Sequence, residues 1–501
     1  MNRMPMHRSR KGGMLASLAA VSLTAGLSIN APAYAQSSAV TAPVPAISQQ
    51  DKQQGAQAHP QLLQEFGGAM TGPQANYVAS VGKNIAVQSG LSNARGDFTV
   101  TLLNSPVNNA FAIPGGYVYV TRQLVALMNN EAELAGVLGH EVGHVAAQHS
   151  RKRQSAATRN SVIGALGTIL SGVLLGSGTA GKLGQQLFSQ GSQMLTLSYS
   201  RGQETEADNL GIDYLRRASY DPRAMSTVLQ SLANQNALEA RLMGSTNRVP
   251  AWASTHPDPA SRVRAAQTRA GTTTGGQLNR DLFLRSVDGL MYGDDPKQGI
   301  VNGRAFTHPD FKLAFEAPNG FYLVNGTRAV AISGQSGKGE FTGAAYSGDM
   351  DAYIRAAFAG LTEQGQQQIA PDAIQRTTVN GIPAAYGTAR VQGESGQLDV
   401  TVFAYEFAKD QAFHFMTITP AGSAATFNSM YGSMRRITPA QASAVKARKL
   451  VVVTARAGDT VQSLSSRMAY TDAALERFLV LNGLSSTSRI VAGQKVKIIT
   501  Y

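Results

Sequence analysis

The 501-residue sequence contains no cysteine, so no disulfide bond can hold its fold, and any metal site must be built from histidine, aspartate and glutamate. Charged residues make up only 15% of the chain and aromatic residues 7%. The net charge is +13, but the basic residues are scattered apart from Arg151-Lys152-Arg153. No basic stripe carries interleaved aromatic side chains, which argues against nucleic acid as a partner and leaves an anionic surface open.

The N-terminus is typical of a secretory signal peptide. Basic residues precede an uncharged apolar stretch at 14–29, and Ala33-Tyr34-Ala35 matches a small-residue cleavage site. The region has neither an Arg-Arg pair nor a cysteine that could take a lipid. The sequence therefore predicts a signal peptide over 1–35, with an uncleaved anchor helix as the alternative. The Ser-, Ala-, Pro- and Gln-rich segment 36–57 is predicted to be a linker.

Changes of pattern divide the rest of the chain into several domains, as its length requires. Residues 58–270 are mainly helical in pattern, with one short strand region. A low-complexity G-T-T-T-G-G-Q stretch opens a predicted linker region at 271–302. Alternating apolar runs predict an α+β domain at 303–438. A second linker at 439–450 precedes a small unit at 451–501.

The uncharged run at 160–181 is nearly long enough to span a bilayer. It is rich in glycine and is flanked by Arg159 and Lys182. Two interpretations stay open: an apolar helical excursion within the domain, or a flap that touches a membrane surface or covers substrate. The run ends in G-S-G-T-A-G, but no strand–turn–helix pattern surrounds this match, so we reject a dinucleotide site.

The strongest chemical signal is H-E-V-G-H at 140–144, preceded by helical apolar spacing and a capping asparagine, Asn129 or Asn130. His140 and His144 are four residues apart and share a helix face, with Cβ atoms roughly 5–6 Å apart. That spacing suits two imidazoles on one Zn²⁺. The alternative is a pair of histidines on an ordinary helix, but histidine is rare enough to make a chance match uncommon.

A second segment offers the carboxylate that such a site needs. Glu204 and Asp208, in S-R-G-Q-E-T-E-A-D, are also four residues apart on a predicted helix. The alternative is a solvated acidic face, because Glu206 and Asp213 are close in sequence. Glycines 139 and 143 reduce helix propensity and allow another chain segment to approach the first helix closely.

Four motifs in order resemble the M48 family of zinc metallopeptidases, which includes bacterial envelope quality-control proteases and membrane CAAX proteases. They are N-A-F-A-I-P-G-G-Y-V-Y-V-T at 109–121, H-E-V-G-H, S-R-x-x-E-T-E-A-D, and T-H-P-D-P at 255–259. The resemblance implies a mainly α, zincin-like metalloprotease domain with a short edge-strand sheet. By the same resemblance, His140, His144 and Glu204 hold one Zn²⁺ per chain. Glu141 is then the general base on a metal-activated water, and Asp208 is the hydrogen-bond partner of a ligand histidine.

The resemblance also assigns roles beyond the zinc ligands. His256 is either a reversible extra metal ligand with a regulatory role or a capping histidine at a turn, and His149 is expected to be structural. An edge strand is expected to pair with extended substrate backbone, which implies loose sequence specificity. The residues of that strand are Asn109, Ala110, Phe111 and Ala112.

The segment 451–501 resembles a LysM domain, a small βααβ unit that binds N-acetylglucosamine polymers such as peptidoglycan. The match rests on Gly458-Asp459-Thr460, Asn482-Gly483 and Gly493-Gln494. The alternative is a degenerate copy that only packs onto the protease. The 303–438 domain has a faint likeness to PsbP-type α+β folds and no motif that indicates a role.

These observations predict a multidomain, secreted zinc endopeptidase that degrades misfolded or misassembled cell-envelope proteins. The family resemblance and the LysM-like segment place it in the bacterial periplasm, with attachment to the outer membrane or the cell wall left open. One alternative is a chaperone or assembly factor of the outer membrane with restrained proteolysis. Another is a peptidoglycan-targeted hydrolase or binding protein.

Overall fold

The computed structural model describes residues 46–91, 93–156, 199–242, 256, 258–272, 275–361, 369–393 and 396–501. The predicted signal peptide at 1–35 and the uncharged run at 160–181 lie outside these residues. Among the helices in the described part of the chain, none is long and apolar enough to cross a membrane.

The first part of the chain, up to residue 270, combines helices with one small sheet. Its helices are α1 (Gln49–Glu65), α2 (Pro73–Val87), α3 (Ala94–Asp97), α4 (Arg122–Leu127), α5 (Glu131–Ala146), α6 (His149–Ala156), α7 (Arg201–Arg217), α8 (Ala224–Leu242) and α9 (Pro259–Ala270). Its strands are β1 (Thr99–Leu103), β2 (Ala110–Ile113) and β3 (Tyr117–Thr121). Helix α1 begins inside the segment predicted as a linker, so the described part of that segment is folded.

The three strands form a sheet in the order β1-β3-β2, with β1 parallel and β2 antiparallel to β3. Strand β2 therefore lies at the edge of the sheet. Asn109 precedes it, and its backbone exchanges hydrogen bonds with Thr121 at the end of β3. Helix α5 packs against this sheet and against α7.

Glycine determines how closely α5 and α7 approach. A Cβ atom on Gly143 would lie 3.2 Å from the carbonyl oxygen of Ala207, and one on Gly211 would lie 3.1 Å from the backbone nitrogen of His140. The two helices therefore touch backbone to backbone where the candidate ligands lie. Any larger residue at Gly211 would also meet Met225, 2.6 Å from the added Cβ.

The region 271–302, predicted as a linker region, contains regular secondary structure. It contains helix α10 (Arg280–Val287) and strands β4 (Met291–Tyr292) and β5 (Ile300–Asn302). Phe283, Leu284 and Val287 are fully or almost fully buried in the main core. The apolar spacing of these three residues places them on one face of the helix, which faces the core.

The α+β part contains two antiparallel sheets. Its elements are β6 (Ala305–His308), β7 (Leu313–Glu316), β8 (Tyr322–Asn325), β9 (Ala329–Gly334), β10 (Gly337–Ala345), α11 (Met350–Ala359), β11 (Ile374–Val379), β12 (Ile382–Gly393), β13 (Gly396–Ala408), β14 (Gln411–Pro420), α12 (Asn428–Ser433) and β15 (Arg435–Arg436). The larger sheet has the order β11-β12-β13-β14-β10-β9-β8, and the smaller has the order β15-β7-β6-β5. Alternate residues of the large sheet face two separate apolar cores, one of which packs against α11.

In the C-terminal part a short helix precedes a unit with the order strand, helix, helix, strand. Its elements are α13 (Pro439–Ser443), β16 (Arg448–Thr454), α14 (Val461–Ser465), α15 (Ala474–Asn482) and β17 (Lys495–Thr500). Helix α13 and the start of β16 occupy most of the predicted linker at 439–450. Strand β16 pairs with both β17 and β4, and its apolar residues join the same core as those of α2, α5 and α8. The C-terminal part therefore shares a hydrophobic core with the part of the chain up to residue 270.

Candidate metal centre

Helix α5 carries the H-E-V-G-H motif as a buried central helix. The Asn130 side chain caps it by accepting a hydrogen bond from the Glu133 backbone nitrogen at 2.9 Å. His140 and His144 are each 2% exposed, and their Nε2 atoms lie 3.0 Å apart. The one-turn spacing thus brings both imidazoles to one point, as the sequence predicts.

Helix α7 brings a carboxylate to the same point. A capping box between Ser200 and Gln203 starts this helix just before Glu204. Glu204 is fully buried, and its carboxylate oxygens lie 3.6 Å from the Nε2 atom of His140 and 3.5 Å from that of His144. The alternative of a solvated acidic face does not fit Glu204 or Asp208, because Asp208 is also only 4% exposed.

His256, ahead of α9, lies inside the same cluster. Its Nδ1 atom is 3.2 Å from the Nε2 atom of His140 and 3.1 Å from Glu204 Oε1. Its Nε2 atom is 3.4 Å from Glu141 Oε1, and the ring is 1% exposed. The structure therefore places His256 among the candidate ligands, which does not favour the turn-capping alternative.

Outer hydrogen bonds fix which ring nitrogens face the cluster. His149 Nε2 lies 3.1 Å from a Glu206 carboxylate oxygen and must donate, so the Nδ1 atom of the neutral His149 ring accepts. His144 Nδ1, 2.8 Å away, then donates to it, which leaves His144 Nε2 as a bare acceptor. His140 Nδ1 lies 2.9 Å from Asp208 Oδ1 and donates to it, which turns its Nε2 toward the cluster.

Glu141 lies beside the cluster without taking part in its hydrogen bonds. The side chain is fully buried, and among the described residues neither carboxylate oxygen has a hydrogen-bond partner. A buried carboxylate without a partner is energetically costly and needs an explanation. A water molecule or a substrate group held by the neighbouring residues would supply that partner.

Burial and neighbouring charges set the protonation states of the cluster. Burial raises the pKa of Glu141 and lowers that of His144 well below its usual value. Burial also acts to raise the pKa of Glu204, but the imidazoles of His256, His144 and His140 outweigh it, and the pKa ends below its ordinary value. The site therefore combines a neutral imidazole with an ionised carboxylate, the forms that bind a metal ion.

Two residues of the site were missed by sequence reasoning. The guanidinium of Arg262 on α9 donates to both oxygens of Asp208, at 2.8 and 2.6 Å, and also contacts Glu204. Arg262 follows His256 by six residues, in H-P-D-P-A-S-R. No spacing rule connects it to a residue on another helix. The ring of Tyr199 stacks on His144 with a centroid distance of 3.8 Å. His149, expected to be structural, contacts a candidate ligand directly.

The predicted edge strand lies next to the cluster. Ala112 and Ile113 of β2 line one cavity together with His144 and Tyr199. The strand residues themselves are buried on the sheet side, since Ala110, Phe111 and Ala112 are at most 7% exposed. The structure thus brings the edge strand and the H-E-V-G-H helix to one cavity.

The side chains present fit a metal ion. One ligand atom from each of His140, His144, Glu204 and His256 can be chosen so that all lie within 4.8 Å of one another. Several of these atoms are acceptors that face each other, an arrangement that a cation stabilises and that hydrogen bonds alone do not. Imidazole and carboxylate are ligands that Zn²⁺ accepts.

Comparisons with known proteins agree with this geometry. Residues 73–270 match the model of Peptidase family M48, and residues 453–498 match the LysM domain model. The β-barrel assembly-enhancing protease of Yersinia pestis is 34% identical over 197 residues, which cover 39% of this chain and 38% of that protein. The mitochondrial metalloendopeptidase OMA1 of Schizosaccharomyces pombe is 32% identical over 217 residues, 43% of this chain and 59% of that protein.

A solved structure of PsbP from Synechocystis sp. PCC 6803 matches 29% of this chain and 98% of its own length, at 12% identity and a TM-score of 0.22. A score this low carries no argument about the α+β part.

A buried H-E-x-x-H helix facing a glutamate on a second helix defines the site of a metallopeptidase. The chain carries an M48 peptidase domain, followed at its C-terminal end by a LysM domain, and both resemblances seen in the sequence are confirmed. The matched segments span 38% of the Yersinia protein and 59% of the fission-yeast protein, less than two thirds of either.

Proposed function

We propose that this chain is a zinc-dependent endopeptidase that hydrolyses misfolded or misassembled cell-envelope proteins. The observation that carries the proposal is the convergence of three histidine rings and the Glu204 carboxylate on one point. Beside them lies Glu141, whose buried carboxylate has no hydrogen-bond partner among the described residues. A relative named for β-barrel assembly supports the envelope as the place of action. The predicted signal peptide supports the periplasm as the compartment.

His140, His144 and Glu204 would hold the metal in a zincin-like site, with one Zn²⁺ per chain. When bound, the metal supplies Lewis acidity that activates a water molecule and polarises the peptide carbonyl. Glu141 takes a proton from the water and returns it to the leaving amine. Asp208 holds the His140 ring through its Nδ1–H, and His149 holds His144 in the same way.

The substrate would lie along strand β2. An edge strand offers unpaired backbone groups to an extended peptide, so Ala110 to Ile113 would bind backbone rather than side chains. Only unfolded or exposed segments can add to a sheet edge in this way. The proposed enzyme therefore selects misfolded proteins by their conformation more than by their sequence.

His256 would regulate access. Its ring contacts both Glu204 and Glu141, so it occupies the space between the candidate ligands and the general base. We assign it the role of an exchangeable ligand that has to move away before a substrate carbonyl can enter. A site closed in this manner fits an enzyme whose proteolysis is restrained, and it keeps the chaperone or assembly-factor alternative open.

Removing the metal is expected to abolish hydrolysis, because Glu141 alone cannot activate water at neutral pH. Zinc content by mass spectrometry and casein degradation are measured together before chelation, after chelation and after zinc is added back. Cleavage should disappear with the zinc and return with it. Protein that holds no zinc at any stage would mean that H-E-V-G-H is not the metal site. Zinc without cleavage would favour the restrained alternative and direct attention to His256.

The LysM domain supports peptidoglycan as a second partner. Its loops at 456–460 and 484–494 are largely exposed, and hydrogen bonds between Ala455 and Gly493 and between Gln494 and Ala455 hold them side by side. Val491 on the second loop is 62% exposed. An apolar side chain on such a loop can pack against a sugar ring.

The full-length chain is therefore expected to sediment with purified peptidoglycan, and Val491→Asp is expected to weaken this binding. Val87→Asp is the matched control, because Val87 is also exposed but ends α2 in the peptidase domain. If both variants bind peptidoglycan as well as the wild type, the loop that carries Val491 does not contact the glycan. Release of soluble muropeptides would instead favour the cell-wall hydrolase alternative.

A further inference from the structure

Lys497 is a lysine of the LysM domain that is buried inside the protein. It is the third residue of β17 and is 1% exposed. Its Nζ atom donates to three backbone carbonyls of the peptidase domain, those of Ala126 at 2.8 Å, Leu127 at 3.3 Å and Met128 at 2.5 Å. An ammonium group has three N–H donors, so these carbonyls satisfy it completely.

The three carbonyls belong to the end of α4, directly ahead of the metal helix. Ala126 and Leu127 are the last residues of α4, Met128 is its C-cap, and α5 begins at Glu131. The last carbonyls of a helix have no partner within it and carry partial negative charge. A residue from the C-terminal domain thus donates to the last carbonyls of a peptidase helix, one of which, that of Leu127, also accepts from Asn129 Nδ2 at 3.3 Å.

Lys497 is also coupled to the first turn of the metal helix through charge. Glu133 is 3% exposed, and its carboxylate accepts from the Asn129 backbone nitrogen and from the Thr227 hydroxyl, each at 2.7 Å. Burial raises the pKa of Glu133 and lowers that of Lys497, while each charge opposes the effect of burial on the other. Each buried charge therefore stabilises the other, in addition to the hydrogen bonds that each group makes.

The C-terminal domain holds Lys497 firmly in this position. The Asn482 side chain at the end of α15 accepts from the Lys497 backbone nitrogen at 2.7 Å and donates to its backbone carbonyl at 2.9 Å. Strand β16 pairs with β4, and the apolar residues of the domain share the core that contains α5. The position of the ammonium group is therefore set by the LysM fold and not by a flexible tail.

We propose that Lys497 is a positioning residue for the metal centre, through which the LysM domain fixes the start of helix α5. The inference rests on the proposed metal centre. His140, Glu141 and His144 lie on the same helix as Glu133, two to three turns further along. A shift at its start would displace them relative to Glu204 on α7, so a LysM residue controls the geometry of a site on another domain.

Zinc affinity of the full-length chain tests this inference, measured by competition with a chromophoric chelator far below the melting temperature. Lys497→Met is expected to weaken zinc binding about tenfold, in the range found when the groups behind metal ligands are lost. Lys495→Met is the matched control: Lys495 lies on the same strand, and its Nζ is 3.2 Å from Asp281 in an exposed ion pair. Its zinc affinity should equal that of the wild type. Adding Glu133→Gln to Lys497→Met should restore part of the affinity, because no buried charge then lacks its partner.

The outcomes separate this inference from the proposed function. A wild type that binds no zinc overturns the metal centre, and this inference with it. A Lys497→Met protein that melts earlier but binds zinc as tightly as Lys495→Met overturns the inference alone. If Lys497→Met does not fold, Asn482→Ala replaces it, because it loosens the strand that carries Lys497 without leaving a charge unpaired. Unchanged zinc affinity in Asn482→Ala would then refute the positioning role.

Discussion

Replacement of Glu141 by glutamine is expected to lower the turnover of casein about 10²- to 10⁴-fold, the usual contribution of a general base. Glutamine has the shape of glutamate but cannot accept a proton at neutral pH. Because Glu141 is not among the proposed metal ligands, zinc content should stay the same. The expected result is a folded, zinc-loaded and inactive protein.

The Glu141→Gln protein should be at least as stable as the wild type. A substitution that disrupts the packing of the core would instead lower the stability. Burial raises the pKa of Glu141, which means that the ionised form is disfavoured where it lies. A neutral amide removes that cost, so the melting temperature is expected to stay equal or to rise. A marked fall in the melting temperature would show that Glu141 is a structural residue.

Glu131→Gln is a matched control on the same helix. Glu131 is also buried, but it lies in the first turn of α5 and accepts hydrogen bonds from Tyr77, Tyr220 and Asn279. This variant should keep casein hydrolysis and zinc. If the wild type never hydrolyses casein while both variants retain an assembly activity, the chaperone alternative replaces the peptidase.

Local spacing was sufficient to predict the helices and the side chains that face the cluster. The four-residue spacing of His140 and His144, the capping asparagine and the acidic first turn all describe one helix, and α5 has these features. Glu204 and Asp208 follow the same rule on α7. The pairing of the two helices could not be derived from spacing, although Gly139 and Gly143 indicated that something approaches closely.

Contacts between distant segments could not be predicted from the sequence. Arg262 contacts Asp208 across 54 residues, and an arginine in P-A-S-R-V-R has the pattern of an exposed helix residue. Lys497 lies in K-V-K-I-I, where alternation favours a strand with lysines in solvent. The carbonyls that bury it come from α4, far away in the chain. The pairing of β4, in the region 271–302, with β16 could not be predicted for the same reason.

Arg262→Met is expected to destabilise the protein by about 3–5 kcal/mol, the usual cost of removing one partner from a buried ion pair. The side chain of Arg262 is 8% exposed, and it is the cation that faces both Asp208 and Glu204. Methionine keeps an unbranched apolar stem but lacks the guanidinium, which leaves Asp208 buried without its charged donor. Urea unfolding of the zinc-free protein measures the loss.

Zinc affinity should fall in the same variant by 10- to 100-fold, because Asp208 then loses the contact that orients it toward His140. Arg262→Lys should recover little of this loss. A lysine keeps the charge, but its compact ammonium cannot match the planar fork that binds both oxygens of Asp208 while also reaching Glu204. A lysine variant with full affinity would mean that charge alone, and not the geometry of the fork, is required.

Arg269→Met is the control for Arg262→Met, because it removes an exposed arginine from the same helix. Arg269 is two turns further along α9, and its guanidinium lies 2.6 Å from Asp213 with nearly half of its side chain exposed. An exposed pair of this kind contributes about 0–1 kcal/mol. If Arg262→Met unfolded at the same urea concentration as Arg269→Met, the contacts of Arg262 would contribute no more than a surface ion pair. A contact other than that with Arg262 would then have to orient the Asp208 carboxylate toward His140.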